Sequence, residues 1–395
     1  MISSNPLHDH LAHRVSIGEI AGAVALVAQP GAVHVEVVGA QALGGAPLGR
    51  DAIFRIASMT KPVVAAATLI AIEDGLMSLD EPVDRLLPEL ADRRVLRRAD
   101  GPLDDTAPAS RPITVRDTLA FTLGLGIPLL PPGATPIQRA LDELALGQGM
   151  PSPQGAPAPD EWIRRLGTLP LISQPGAEWQ YNTGADVQGV LIARAARRPL
   201  EQFLRERLFE PLGMVDTGFS VPAAQRERLV TSYSTDLHTG AAALYDRPDG
   251  QWSRPPAFPG GGAGLVSTID DYLAFAEMLA GGGARRGVRI LSEAQVAAMT
   301  RDQLSSAQKA ASRWIPGTFE RISWGLGLAV VTGDDPSGPP GCYGWDGGLG
   351  TTWRSDPSHS RIAILLTQHA WRSPDPPPVC REFWADARSF TTGPR

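Results

Sequence analysis

The stretch from Val63 to Ile72 constrains this chain more than any other, because it is apolar on almost every side. A helix with no polar face must be buried all round, so the rest of the chain has to be built to cover it. Glu73-Asp74-Gly75 follows, with Gly75 suited to the left-handed residue that closes a helix. Pro62 is compatible with the first turn, where its missing N–H has no partner to lose. Just ahead lies Phe54-Arg55-Ile56-Ala57-Ser58-Met59-Thr60-Lys61. If the helix begins near Ser58, Ser58 and Lys61 share one face, one turn apart. A hydroxyl and an amine at the start of a rigid buried helix are well placed to act as nucleophile and base. Serine is also a favoured N-cap, so local sequence leaves the two readings even.

The chain has 36 basic residues, and only Lys61 and Lys309 are lysines. Arginine does not give up its proton, whereas a buried lysine can, which gives Lys61 a reason to stay lysine. Ser306-Ala307-Gln308-Lys309 repeats the Ser-x-x-Lys spacing in polar text and reads as an exposed helix without chemistry. A free lysine has a pKa near ~10.4, so only about one in 2,500 is neutral at pH 7. Useful basicity needs a drop of roughly 3 units. Burial and the positive end of a helix both push that way. A nearby tyrosine could share the proton, and Tyr181, in the Pro-Gly loop before Thr183, is the best placed of the five tyrosines. Its alternative role is an aromatic anchor for that loop. An acyl intermediate also needs backbone N–H donors, and Tyr343-Gly344-Trp345-Asp346-Gly347-Gly348-Leu349-Gly350 offers a strand edge. Alternation puts Trp345 and Gly347 on one face and Asp346 on the other. Glycines at 347 and 348 permit close approach of a substrate. A glycine-rich hairpin around a core tryptophan would read the same way.

A net charge of -6 and a pI of about 5.7 argue against a nucleic-acid partner. No apolar run reaches membrane-spanning length. Met1–His10 lacks a basic region followed by an apolar core, so a cytoplasmic protein is expected. Cys342 and Cys380 fit no metal spacing, and a disulfide between them is not expected. His8, His10 and His13 suit an exposed helix end better than a metal site. The Gly260–Gly264 run lacks the Gly-Lys-Ser/Thr ending of a phosphate loop, so no cofactor or metal is expected.

Ala21–Gln29 and Val33–Gly39, separated by Pro30-Gly31, predict a hairpin. Helices are expected over 8–20, 160–169, 183–196, 200–208 and 379–390, and one after Ser267 or Thr268. Strands are expected over 325–331, 341–345, 351–355 and 361–367, joined by loops short enough for antiparallel pairing. Residues 127–160, dense in Pro and Gly, read as a surface excursion. The fold class is α+β: a mostly antiparallel sheet built from both termini, flanked by helices, with a helical domain inserted. The sheet domain would take residues 1–75 and 285–395, and the insert 76–284.

Together these stretches resemble the Ser-x-x-Lys serine hydrolases of the β-lactamase and penicillin-recognising superfamily, with its β-lactamase/transpeptidase-like fold. They are most similar to the family VIII carboxylesterases, which share the class C β-lactamase architecture. The resemblance runs through Ile56–Lys61, Ile113–Asp117, Pro211–Met214, Gly262–Thr268, Tyr343–Asp356 and the closing Pro376–Pro378 with Phe383-Trp384. It implies Ser58 as nucleophile, Lys61 and Tyr181 as the base pair, and the N–H groups of Ser58 and Gly348 as the oxyanion hole. Trp345-Asp346-Gly347 takes the place of the Lys/His-Thr-Gly strand motif, so Trp345 and Gly347 would meet substrate. The relatives' Tyr-x-Asn is here Tyr181-Asn182-Thr183, which puts Thr183 where an amide would contact an acyl-amide group. An indole cannot pair with a carboxylate but can cover an apolar ester group. The resemblance therefore implies hydrolysis of small neutral carboxylic esters through an acyl-enzyme. The alternatives are a D-amino-acid amidase or peptidase, a β-lactamase-like hydrolase or an acyltransferase on the same site, and a non-enzymatic penicillin-recognising binding module. The expected partner is a small ester. No Gly-x-Ser-x-Gly elbow occurs, which counts against an α/β-hydrolase.

Overall fold

The computed structural model describes residues 5–127, 130–131, 133–147, 149–236 and 238–390. The N-terminal reading of residues 1–10 and the excursion at 127–160 thus lie partly outside the described residues. The sheet strands are β1 (Gly22–Gln29), β2 (Ala32–Gly39), β3 (Ile322–Trp324), β4 (Ala329–Val331), β5 (Tyr343–Gly347), β6 (Thr351–Asp356) and β7 (Arg361–Thr367). They form a seven-stranded sheet in the order β3-β4-β5-β6-β7-β1-β2, antiparallel at every pairing. N-terminal and C-terminal strands meet where β1 pairs with β7, with Val24 opposite Leu366 and Leu26 opposite Ile364.

β1 is apolar throughout because both of its faces are covered. Val24, Leu26 and Ala28 point into the main core. Ala23, Ala25 and Val27 point the other way, onto α1 (Pro6–Ser16) and the C-terminal helix Pro378–Ser389 through Leu7, Leu11, Phe383 and Trp384. The histidines of α1 tie it to its neighbours: His8 Nδ1 lies 2.9 Å from Glu36 and His10 Nδ1 2.8 Å from Asp386.

On the main-core side runs α2 (Thr60–Glu73), buried from Thr60 to Ala71. Its one interior hydroxyl, on Thr68, donates back to the Val64 carbonyl at 3.0 Å. The helix ends as its sequence predicts. Gly75 has φ +72°, its N–H donates to Ile72 at 3.0 Å, and the N–H of Leu76 donates to Ala71 at 3.0 Å. α3 (Thr183–Ala196) packs beside it, while α4 (Ile269–Ala280), whose N-cap Thr268 accepts from Asp271 N–H, packs on β7 and β1. Tyr272 and Phe275 of α4 pack edge-on against Trp353 of β6, at 5.6 and 5.9 Å, so α4 covers the sheet. The expected strand at 325–331 is shorter than predicted. Residues 325–328 form the turn into β4, and a Cβ at Gly327 would stand 2.1 Å from that of Ala65 in α2. No helix is long and apolar enough to cross a membrane among the described residues.

The second Ser-x-x-Lys copy lies on the helix Ser306–Ala311, capped by Ser305, with Lys309 paired to Asp302.

Candidate active site

Ser58 sits in a single 3-10 turn, Ala57–Met59, that leads into α2. Ala57 adopts φ +44°, a left-handed conformation that costs a non-glycine residue roughly 1–2 kcal/mol. The surroundings hold it there. Phe54-Arg55 pairs with Val266-Ser267, and Ile56 N–H donates to Leu265 at 3.1 Å. Thr351 Oγ1 donates to the Ile56 carbonyl at 3.2 Å, and Tyr272 Oη to that of Met59 at 3.0 Å. Ser58 makes no capping hydrogen bond to either helix. Its hydroxyl is free to face Lys61.

Lys61 is completely buried. Its Nζ lies 2.9 Å from Ser58 Oγ, donates to the Gly262 carbonyl at 2.6 Å, and stands 4.5 Å above the Tyr181 ring. Burial drives its pKa well below that of an ordinary lysine, and the Asp186 carboxylate pulls it back up. An amine held in this balance can take a proton from Ser58.

Tyr181 is presented by a strained loop. Asn182 has φ 84° and ψ -64°, and the N–H of Thr183 donates to the Tyr181 carbonyl at 3.3 Å, which makes a tight γ-turn. The Tyr181 hydroxyl accepts from Trp345 Nε1 at 2.9 Å, and its ring lies 4.5 Å from Lys61 Nζ. Phe121, Trp179, Trp314 and Trp324 pack around its ring. Burial pushes its pKa up, so the phenol stays protonated at neutral pH.

Sequence reasoning gave Trp345 only an apolar surface. The structure gives it a polar task, since the indole N–H orients Tyr181. Asp346, on the other side of β5, is occupied by Arg354 (2.8 Å twice) and Thr352 (2.6 Å). Gly348 lines the cavity in front of Ser58. Gly347 does not. A Cβ there would stand 2.3 Å from the Ile56 carbonyl and 2.2 Å from Thr351 Oγ1, so this glycine lets β5 approach the Ser58 turn. Thr183 is likewise displaced. It is buried with its hydroxyl unpartnered, and Asn182 lines the cavity in its place. The positive φ of Asn182 turns the chain so that position 182, not 183, faces inward. Two further residues at the site, Gly262 and Asp186, were missed as functional. The signal for Asp186 was an acidic residue on the otherwise apolar first turns of α3.

The two glycines predict opposite outcomes. Gly347→Ala collides with backbone and should lower stability by about 1–3 kcal/mol. Gly348→Ala projects into open space and should melt like the wild type. Thermal melts of both variants test this.

The cavity is about 850 Å³ and is bounded by Ser58, Tyr181, Trp345 and Gly348 on one side. Leu146, Met150, Trp162, Phe258 and Trp371 are among its apolar walls. No group of His, Cys, Asp or Glu side chains suited to a metal ion occurs among the described residues.

A family model described as Beta-lactamase matches residues 7–385. Esterase EstB of Burkholderia gladioli is 32% identical over 378 residues, covering 89% of this chain and 87% of that protein. Monacolin J acid methylbutanoyltransferase of Aspergillus terreus is 28% identical over 362 residues, covering 85% and 81%. The solved structure of EstCE1, described as a hydrolase with promiscuous acyltransferase activity, superposes with a TM-score of 0.78 at 25% identity over 97% of both chains. The similarity spans both parts of the sheet and everything between them, with Ser58, Lys61 and Tyr181 meeting at its centre, and the chain belongs to the beta-lactamase family of serine hydrolases.

Proposed function

We propose that this protein hydrolyses neutral carboxylic esters through an acyl-enzyme on Ser58. The observation that carries the reading is the convergence on one buried amine: Lys61 Nζ lies 2.9 Å from Ser58 Oγ and 4.5 Å from the ring of Tyr181, whose hydroxyl is held by Trp345. Neutral Lys61 accepts the Ser58 proton as Oγ attacks the ester carbonyl. The N–H groups of Ser58 and Gly348 receive the oxyanion. Tyr181 passes its proton to the departing alkoxide and takes a replacement from the Lys61 ammonium; water then attacks the acyl carbon, its proton going to Lys61, and Lys61 returns that proton to Ser58 Oγ as the acid leaves.

The wall chemistry favours neutral substrates. The cavity presents Asp142 and Asp186 and, among the described residues lining it, no lysine or arginine. Trp345 already spends its only N–H on Tyr181, so it offers a carboxylate nothing but desolvation. A charge-assisted hydrogen bond is worth roughly 1.5–3 kcal/mol, so its absence costs on the order of 10–150-fold in selecting a carboxylated substrate. The expected result is a kcat/KM for p-nitrophenyl butyrate far above that for nitrocefin or a D-alanyl peptide. Equal turnover of either competitor would overturn the reading. The volume of the cavity, about 850 Å³, also leaves room for an apolar group much larger than butyrate. Esters of bulky apolar alcohols should therefore show a lower KM than the butyrate. The same space would admit a second alcohol as acyl acceptor, so the assay should measure transfer to added alcohol alongside hydrolysis.

A further inference from the structure

The glycine loop before α4 and an acidic side chain of α3 meet behind Lys61. Asp186 lies in the first turns of α3, buried, with Oδ1 accepting from the Gly262 N–H at 2.8 Å. The carbonyl of the same residue accepts from Lys61 Nζ at 2.6 Å. Gly262 is thus gripped on both sides, by Asp186 at its N–H and by Lys61 at its carbonyl. The loop closes on itself through Gly264 N–H to the Gly260 carbonyl at 3.0 Å. A Cβ at Gly262 would stand 3.0 Å from Asn182 Oδ1 and 3.1 Å from each Asp186 carboxyl oxygen, which leaves no slack in the contact.

A buried carboxylate with one backbone donor is costly, and it persists where a nearby charge or a function offsets it. We propose that Asp186 is a positioning residue for the proposed ester hydrolysis: it locks the Gly262 carbonyl onto Lys61, and its charge keeps Lys61 able to exchange protons with Ser58 at neutral pH. The inference rests on the esterase reading given above. Two opposing effects act on Lys61. Burial alone would strip its proton so firmly that it became a poor base, and the carboxylate restores affinity for it. Burial raises the pKa of Asp186 in turn. The other groups facing Lys61 are the Ser58 hydroxyl from its own turn and the Tyr181 phenol from the loop before α3. Asp346 from β5 acts on Tyr181 and is already paired with Arg354. Asp186 is therefore the acidic group placed to set the charge on Lys61.

The test uses the full chain and two readouts against pH: kcat/KM for p-nitrophenyl butyrate, and the rate at which a fluorophosphonate labels Ser58. Asp186→Asn keeps an oxygen for the Gly262 N–H and removes the charge. Its acidic limb should move to lower pH by about 1 unit or more in both readouts, with the plateau rate reduced at least about tenfold and KM little changed. Gly262→Ala keeps the charge but disturbs the grip, and should lower the plateau while leaving the midpoint in place. An unmoved midpoint in Asp186→Asn, or a shift to higher pH, would overturn the role of Asp186. A shifted midpoint in Gly262→Ala equal to that of Asp186→Asn would overturn it as well, since geometry alone would then account for both. The labelling arm separates this from the broader reading. A wild type that labels at Ser58 yet cleaves no ester counts against the esterase assignment, while the midpoint of labelling still reports on Asp186.

Discussion

Ser58→Ala should abolish ester hydrolysis while the protein remains folded. Ser58 Oγ bonds with Lys61 and caps no helix, so its removal takes away the attacking atom and no bond between structural elements. Loss of a serine nucleophile in comparable catalytic units costs roughly 10⁶ in kcat. The expected stability change is small, within about 1 kcal/mol, because the missing hydroxyl leaves only a methyl-sized difference at a half-buried turn. Intact-mass measurement after a slowly hydrolysed ester should show one acyl adduct on the wild type and none on the variant. Retained activity in Ser58→Ala, with a matching thermal melt, would end the assignment of the nucleophile.

Lys61→Arg should be nearly as damaging as Lys61→Ala, with losses in the ~10²–10⁴-fold range of a missing general base. The arginine keeps the charge but holds its proton at every working pH. It must also fit a planar guanidinium where a compact ammonium now reaches both Ser58 Oγ and the Gly262 carbonyl. Lys309→Arg should be silent, since Lys309 only pairs with Asp302 on an exposed helix. The same assignment fixes the sign of the pH dependence. The working form of Lys61 is the neutral amine, so activity rises with pH as the proton is lost. Because burial lowers the pKa of Lys61, the midpoint should fall far below the ~10.4 of a free lysine. A profile that falls as pH rises through neutrality, or equal effects of arginine at 61 and 309, would refute the role given to Lys61.

The sequence by itself determined the parts of this protein whose physics is local. The apolar run at 63–72 can only be a buried helix, and Gly75 closes it in the left-handed conformation that its residue type allows. The Ser-x-x-Lys spacing places Ser58 and Lys61 one turn apart whatever the rest of the chain does, and the observed Oγ–Nζ distance is 2.9 Å. The β1–β2 hairpin and the antiparallel late strands follow from short turns between β-branched runs. Tertiary structure decided what depends on register and direction. Trp345 meets Tyr181 across 164 positions of sequence because β5 docks against the Ser58 turn, and no local pattern encodes that meeting. Gly347 and Gly348 are identical as text, yet one faces the Ile56 carbonyl and the other the cavity. Asn182 lines the wall where the Tyr-x-Asn resemblance put Thr183, because the positive φ at Asn182 turns the chain there. Asp186 gained its place only when two distant segments, α3 and the Gly262 loop, closed on the same buried amine. Periodicity reports which side of an element is buried; it carries no record of which atom waits on the other side.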